Sequence, residues 1–156
     1  MGPHVRVDRK DAVATLTLAR PERANSLDVA TARDLRRAAL GLARDDGVRV
    51  IVLAGVEGCF CTGADLKYVR AGGDPDELAY LAPGASASRG YGAVLKEIVE
   101  YLHSTISEIV RAPKVVLAAV DGVAAAGGFG LAMACDLVVA SERASFQWGY
   151  ARTGLS

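Results

Sequence analysis

The segment AAVDGVAAAGGFGLAMACDLVVASERASF, residues 118–146, carries the pattern that decides the fold. It begins within a dense apolar run, KVVLAAV at residues 114–120, which is typical of a buried strand. A glycine-bearing turn follows at residues 121–130, and a short apolar helix is predicted over residues 127–135. The next apolar run, at residues 137–140, predicts another buried strand. Strands that alternate with helices in this way indicate an α/β fold.

The chain before this segment supports the same fold class. Residues 5–9 and 12–18 alternate apolar and polar side chains, which predicts a β-hairpin. Asp28 is expected to cap a helix that ends near residue 45. The β-branched run at residues 48–54 predicts a strand buried on both faces. Apolar residues recur with a period of 3.6 over residues 95–110, which predicts an amphipathic helix.

The length of the chain favours a single domain. Its 156 residues match one ordinary domain, so we interpret residues 1–156 as one unit. With 51% hydrophobic and 23% charged residues, the chain has ample apolar surface for a core, which excludes disorder. Residues 72–92, rich in Gly, Pro, Ala and Ser, predict a mobile loop. The sequence stops after Gly-Leu-Ser with no final element to cap the core, so we expect a truncated domain.

Charge and hydropathy exclude several classes of partner. Eighteen Lys and Arg balance eighteen Asp and Glu, and this zero net charge argues against binding to nucleic acid. The longest uncharged stretch, residues 122–135, is shorter than the roughly 20 residues that span a bilayer, so no membrane partner is expected. The three cysteines lack the pairing of a metal site and suit a reducing compartment. We therefore expect a soluble cytoplasmic protein with no bound metal.

Two glycine-bearing loops, each after a predicted buried strand, are the candidate site. They are CFCTGADLK at residues 59–67 and DGVAAAGGFG at residues 121–130. Loops that follow parallel strands gather at one edge of a sheet, where ligands usually bind. A helix that starts at glycines exposes unpaired N–H groups, and two facing loops would hold a developing oxyanion. The alternative is that the glycines only permit close packing, and the residues alone leave both open.

At these residues the chain resembles the crotonase superfamily, the enoyl-CoA hydratases and isomerases. The matching pieces are PERANSL at residues 21–27, FCTGADL at residues 60–66, and residues 118–146. They occur in the family's order and, with the strands between them, cover nearly the whole chain. The resemblance implies a crotonase-like spiral of β-β-α units with two nearly perpendicular sheets. It also implies that this is the N-terminal part of the family's core, without the C-terminal helical region.

The resemblance implies an enzyme that processes acyl-CoA thioesters in fatty acid metabolism. Its oxyanion hole would be the backbone N–H groups of Ala64 and Gly127, which stabilise a thioester enolate. Coenzyme A would enter as part of the substrate, with no prosthetic group, and the full-length protein would be a homotrimer or hexamer. The positions matched to coenzyme A contacts are Arg23, Ala24, Asp65, Leu66 and Lys67.

The departures from the family pattern concern the acid and base. Hydratases of this family use two glutamates, and the matched positions here are Gly130 and Tyr150. Neither side chain can act as a carboxylate acid or base, so we expect isomerase or other proton-transfer chemistry instead of hydration. The carboxylate for that chemistry is expected a few residues past Ser156. Trp148 and Tyr150 are expected to line the acyl pocket.

Other single residues favour structural roles. His103 lies off the apolar stripe of its helix, which favours a surface position over catalysis. Asp65 is expected to cap the helix that follows it. Cys61 has no neighbouring base, which argues against a nucleophilic role.

Three other functions are alternatives to an enzyme that acts on thioesters. A dinucleotide fold would need a small residue at Met133, and a Clp-type protease would need a serine where residues 124–126 are alanines. A non-catalytic protein that binds coenzyme A or supports assembly remains an open alternative.

Overall fold

The computed structural model describes residues 2–56, 58–78 and 90–153. The loop predicted at residues 72–92 is therefore described only at its two ends, and its central part, residues 79–89, lies outside the described residues.

The described strands form two sheets. The larger sheet consists of β1 (Val5–Lys10), β2 (Val13–Leu18), β3 (Val50–Gly55), β5 (Val115–Val120) and β7 (Leu137–Ala140), adjacent in that order. The smaller sheet consists of β4 (Cys59–Cys61), β6 (Val123–Ala125) and β8 (Ser145–Gln147), also in that order. The pair β1 and β2 is the predicted antiparallel hairpin, and the remaining pairs are parallel.

Five α-helices connect or follow these strands in the described ranges. Asp28 caps the first of them as predicted, because its carboxylate accepts a 2.8 Å hydrogen bond from the N–H of Thr31. The helix predicted over residues 95–110 begins four residues earlier, at Tyr91. The helices are α1 (Val29–Arg44), α2 (Leu66–Arg70), α3 (Pro75–Leu78), α4 (Tyr91–Arg111) and α5 (Gly127–Met133).

The chain repeats one unit, a strand of the larger sheet followed by a strand of the smaller sheet and a helix. The succession β3, β4, α2 is repeated as β5, β6, α5, and β7 again leads into β8. The crossing between the sheets is tight at Gly122, whose φ is +76° and where a Cβ atom would overlap the carbonyl oxygen of Gly58. Only glycine fits such a crossing. Two sheets built from β-β-α units confirm the predicted α/β architecture.

The three strands of the smaller sheet were missed by the sequence analysis. Residues 59–67 and 121–130 are predicted as loops, yet each contains a strand, β4 and β6 respectively. The third strand, β8, lies in a segment for which no element was predicted. Each of these strands is only three residues long, which is too short for an alternating pattern to appear.

The burial of two strands differs from the prediction. β7 was expected to be buried, but Leu137, Val138 and Val139 are 55%, 42% and 59% exposed. The reason is its position, since β7 is an edge strand that pairs only with β5, and the described residues do not cover it. β3 was expected to be buried on both faces, but full burial is confined to one face, with Ile51 inside and Val52 only half-buried.

Helices α1 and α4 pack against each other and complete the core. α1 buries Leu35 and Ala39, and α4 buries Ile98 and Leu102, in one cluster with the inner face of the larger sheet. The guanidinium of Arg36 donates a 2.8 Å hydrogen bond to the hydroxyl of Ser104 and links the two helices at the edge of their contact.

Among the helices within the described ranges, none combines the length and apolar character that crossing a membrane requires.

Candidate active site

The two glycine-bearing loops lie against each other in the structure. Gly63, which follows β4, has φ +84°, a conformation that favours glycine. A Cβ atom on Gly63 would lie 2.9 Å from the backbone nitrogen of Gly127, the first residue of α5. A Cβ atom on Gly127 would lie 2.8 Å from Cδ2 of Leu102 on α4. Side chains at these two positions would push the loops apart, so the glycines serve close packing as well as any binding role.

The backbone N–H of Ala64 faces away from its neighbouring segment. Ala64 forms a parallel bridge with Leu27, in which Leu27 N–H donates to Gly63 O and Asp65 N–H donates to Leu27 O, both at 2.8 Å. The residue between two such bonds directs its own N–H to the opposite side. Within the described part of the chain, neither the Ala64 nor the Gly127 N–H donates to another protein atom. The two facing loops therefore each present one unpaired donor.

A cavity of about 340 Å³ lies beside these donors. Ligand pockets in proteins begin at about this size, on the order of 300 Å³. Its wall is largely apolar, and α4 contributes one side through Leu95, Ile98, Val99 and Leu102. The other described lining residues are Thr62, Ala64, Leu66, His103, Ala125, Ala126, Gly127, Gly149 and Tyr150.

An ion cluster at Asp65 holds the loop that carries Ala64. Asp65 is buried, with a side chain only 3% exposed, and its carboxylate accepts from Arg20 Nη1 at 2.9 Å. Arg23 binds the same carboxylate in bidentate fashion, with Nε at 3.0 Å and Nη2 at 2.5 Å. The carboxylate also accepts from the N–H groups of Lys67 and Tyr68, which confirms its predicted role as the cap of α2.

The pKa of Asp65 reflects this cluster. Burial by itself raises the pKa of the carboxyl, but the hydrogen bonds from Arg23, from the N–H of Tyr68 and from Arg20 outweigh it. The resulting pKa is lowered from 3.8 to about 2. Asp65 therefore stays ionised and serves as a fixed anchor, and it cannot act as a base near neutral pH.

Backbone geometry holds the loop that carries Gly127. Ala126 precedes α5 with φ 48° and ψ −117°, a conformation that is strained for a residue with a side chain. Its N–H donates to the carbonyl of Gln147 in β8 at 2.9 Å. A Cβ atom on Gly128 would overlap the carbonyl oxygen of Cys61 in β4. This loop is thus fixed by close approach of backbone to backbone.

The residues predicted to contact coenzyme A lie in one region, but some of them already form hydrogen bonds or ion pairs within the protein. Leu66 lines the cavity, and Lys67 is exposed at the start of α2. The Ala24 carbonyl accepts a 3.0 Å hydrogen bond from the Thr62 hydroxyl, which ties it to the loop before Gly63. Arg23 and Asp65 are paired with each other, an ion pair that the sequence does not predict and that gives Arg23 a structural role.

The two aromatic residues after β8, Trp148 and Tyr150, differ in their position relative to the cavity. Tyr150 lines the cavity, whereas Trp148 is 63% exposed and does not line it. Trp148 instead packs edge-on against Tyr150, with ring centroids 5.1 Å apart, and against Phe129 at 6.3 Å. Gly130, on α5, has open space where a side chain would be.

Two residues matter more than the sequence analysis indicated. His103 is exposed, as expected, but it also lines the cavity one helical turn after Val99. The sequence signal for this position is that His103 follows Val99 by four residues, which places both on one face of α4. Arg20 pairs with both Asp28 and Asp65, at 2.7 Å and 2.9 Å. The residues around Arg20 give no indication of the contact with Asp65, which is distant in the chain.

Two of the cysteines are unreactive, and the described ranges hold no metal-binding cluster. Burial raises the pKa of the Cys61 thiol to about 12, so it remains protonated and unreactive. Burial has the same effect on Cys135, also to about 12. Among the residues that the structure describes, no three His, Cys, Asp or Glu side chains are grouped so as to hold a metal ion.

Two sheets of β-β-α units with a cavity beside paired loops define a crotonase-like fold. The chain belongs to the enoyl-CoA hydratase/isomerase family, whose family model matches residues 8–156. It is 32% identical over 153 residues to 4-chlorobenzoyl coenzyme A dehalogenase-2 of Arthrobacter sp, covering 98% of this chain and 50% of that protein. It is 34% identical to the 1,2-epoxyphenylacetyl-CoA isomerase of Escherichia coli K12, covering 92% of this chain and 49% of that protein.

Solved structures agree with the family assignment. The crystal structure of an enoyl-CoA hydratase from Polaromonas sp. JS666 has a TM-score of 0.78 at 32% identity, over 97% of this chain and 53% of that chain. An enoyl-CoA hydratase from Bacillus halodurans has a TM-score of 0.79 at 25% identity, over 98% and 56%. The chain spans about half the length of the curated relatives it matches.

Proposed function

We propose that this protein binds an acyl-CoA thioester and stabilises its enolate, with the thioester oxygen at the N–H groups of Ala64 and Gly127. The observation that carries the proposal is that these two unpaired donors sit on facing loops beside one apolar cavity. Donors fixed in this way need no reorganisation when negative charge develops on the oxygen. The apolar wall from α4 suits an acyl chain and keeps water from weakening the donors.

The proposed reaction is an isomerisation or another proton transfer at the carbon beside the thioester carbonyl. Gly130 and Tyr150 occupy the positions matched to the hydratase glutamates, and no carboxylate lines the cavity among the described residues. Activation of water for hydration needs such an acid and base. Relatives named as a dehalogenase and as an epoxide isomerase are compatible with family members that do not hydrate a double bond.

The proposed coenzyme A contacts start from the loop that carries Ala64. Leu66 would meet the ligand at the cavity, and the exposed Lys67 would meet a phosphate. Arg23 is 29% exposed and binds Asp65 through two of its nitrogens, so its remaining donors would serve a phosphate while Asp65 orients it. Ala24 would lie beside the pantetheine, and the backbone of Asp65 would pass near the adenine.

The test measures binding and enolate formation separately in the full-length protein. Butyryl-CoA should bind more weakly as salt increases, because its phosphate contacts are screened, and it should exchange its α-protons with D2O. The matched control is Gly41→Ala, which adds a methyl group in open space on the exposed side of α1 and should leave both measurements unchanged. Equal or better affinity for NAD would contradict the proposal.

The open alternative, a non-catalytic coenzyme A binder, predicts a different result. Such a protein would bind butyryl-CoA with the same salt dependence but would exchange no α-protons. The remaining expectations, a role in fatty acid metabolism, a cytoplasmic location and a homotrimer or hexamer, are part of the same proposal. Sedimentation of the full-length protein tests the oligomer directly.

A further inference from the structure

Three polar side chains line the otherwise apolar cavity. They are Thr62 after β4, His103 on α4 and Tyr150 after β8. The remaining described lining residues are aliphatic, alanine or glycine, and no Asp or Glu is among them. If proton transfer takes place at this site, its acid and base must be sought first among these three side chains.

The chemistry of the three side chains separates them. A threonine hydroxyl and a phenol keep their protons at neutral pH, so they donate hydrogen bonds but cannot accept a proton from carbon. Thr62 is also engaged, since its hydroxyl donates to the Ala24 carbonyl at 3.0 Å. An imidazole both accepts and donates a proton near neutral pH. Of the three, His103 alone has the chemistry of a general base.

The position of His103 suits this role. Val99 and His103 are four residues apart on α4 and share the helix face that borders the cavity. The adjacent Leu102 touches the Gly127 loop, since a Cβ atom on Gly127 would lie 2.8 Å from its Cδ2. α4 thus places the imidazole on the same wall that meets an oxyanion donor.

The imidazole is also available. Within the described residues, His103 forms no hydrogen bond or ion pair, and its side chain is exposed. A structural histidine in a core would have its nitrogens paired. An imidazole that no described residue binds, at the edge of an apolar cavity, can instead meet a ligand.

We propose that His103 is the catalytic residue that transfers the proton in this cavity, an inference that rests on the proposed function. One imidazole nitrogen takes a proton from the carbon beside the thioester carbonyl. The electron pair of the broken C–H bond forms the C=C bond of the enolate, and the negative charge moves to the carbonyl oxygen at Ala64 and Gly127. Return of the proton from the imidazolium to the same carbon gives exchange, and return to a conjugated carbon two bonds further on shifts a double bond.

The proposal differs from the expectation of a carboxylate past Ser156, because it assigns the base to a described residue. The test uses the full-length protein, butyryl-CoA in D2O and the variant His103→Ala. The expected result is a loss of α-proton exchange on the order of 100-fold or more, with little change in butyryl-CoA affinity. Added imidazole should raise the exchange rate of the variant at least tenfold, because it fits the space left by the side chain and replaces the missing base.

A matched control comes from the composition, since the chain contains only two histidines. The other, His4, precedes β1 and does not line the cavity, so His4→Ala should keep the wild-type rate and show no response to imidazole. In the same protein, bound butyryl-CoA should slow carbethoxylation of His103 and leave that of His4 unchanged.

The outcomes separate this proposal from the proposed function. Wild-type protein that neither binds butyryl-CoA nor exchanges its protons would overturn both. Normal binding and exchange in a folded His103→Ala protein would overturn only the role of His103 and return the base to another residue. A loss of exchange that imidazole does not restore would assign His103 to packing, and would also overturn the proposal.

Discussion

The loops that carry Ala64 and Gly127 present the same group, a backbone N–H, but they are held in place by different forces. The first is anchored by side-chain electrostatics, with Asp65 bound by Arg20 and Arg23. The second is anchored by backbone contact, with a strained Ala126 before α5 and with Gly128 packed on β4. Two equivalent N–H donors can thus be held in position by different kinds of interaction. Each loop should therefore be destabilised by a different substitution or change of pH.

The largest expected effect is on the donor of the second loop. Gly127→Pro removes the N–H, and we expect a loss of α-proton exchange on the order of 100-fold or more, the usual cost of one oxyanion donor. Proline is tolerated at the first position of a helix, so α5 should still form. Because any Cβ atom here also crowds Cδ2 of Leu102, the matched control is Gly127→Ala, which adds the same crowding but keeps the N–H. The rate is compared at equal content of folded protein, established by circular dichroism. Near-normal exchange in a folded variant would show that the oxyanion is held elsewhere.

Removal of the charge from Asp65 should break the first loop's support. Asp65→Asn leaves two partly buried guanidinium groups without their shared partner, and we expect a loss of about 3 kcal/mol in the free energy of unfolding, measured with urea.

The control for that variant is an exposed ion pair. Asp121 pairs with Arg143 at 2.7 Å, but their side chains are 42% and 76% exposed. Asp121→Asn should therefore cost much less stability than Asp65→Asn. Equal losses for the two variants would mean that the cluster at Asp65 gives no special support to the loop.

Acid should weaken the first loop before the second. The pKa of Asp65 is lowered to about 2 in the folded protein, so its ionisation stabilises the fold above about pH 4. That contribution, about 2 kcal/mol, should be lost as the pH falls from about 4 towards 2. Urea unfolding at several pH values measures it. The Asp65→Asn protein should lack this part of the pH dependence, and an unchanged dependence would assign it to other carboxylates.

The smallest expected effect is a gain in stability in the second loop. Ala126→Gly relieves the strain at φ 48° and ψ −117°, and should raise the free energy of unfolding by about 1 kcal/mol. Ala132→Gly, near the end of the adjacent helix α5, should have the opposite sign and cost about 1 kcal/mol. A destabilised Ala126→Gly protein would show that the alanine methyl group contributes more by packing than the strain costs.

The long elements were the predictable part of the fold. The hairpin, α1 with its Asp28 cap, α4 and the strands β3 and β5 all showed in the sequence, because each spans enough residues for its period to appear. The short strands of the smaller sheet did not show. The exposure of β7 was also missed, since an apolar run records a preference for burial and not whether another segment is present to cover it.

The candidate site divides in the same way. The sequence alone determined the two glycine-bearing loops and the cap at Asp65, because each depends on residue type and local spacing. Only the tertiary structure decided that Arg23 pairs with Asp65, that Trp148 lies outside the cavity and that His103 lies on its wall. The physical reason is that these contacts join residues distant in the chain, and their geometry follows from how helices and sheets pack, which no local pattern records.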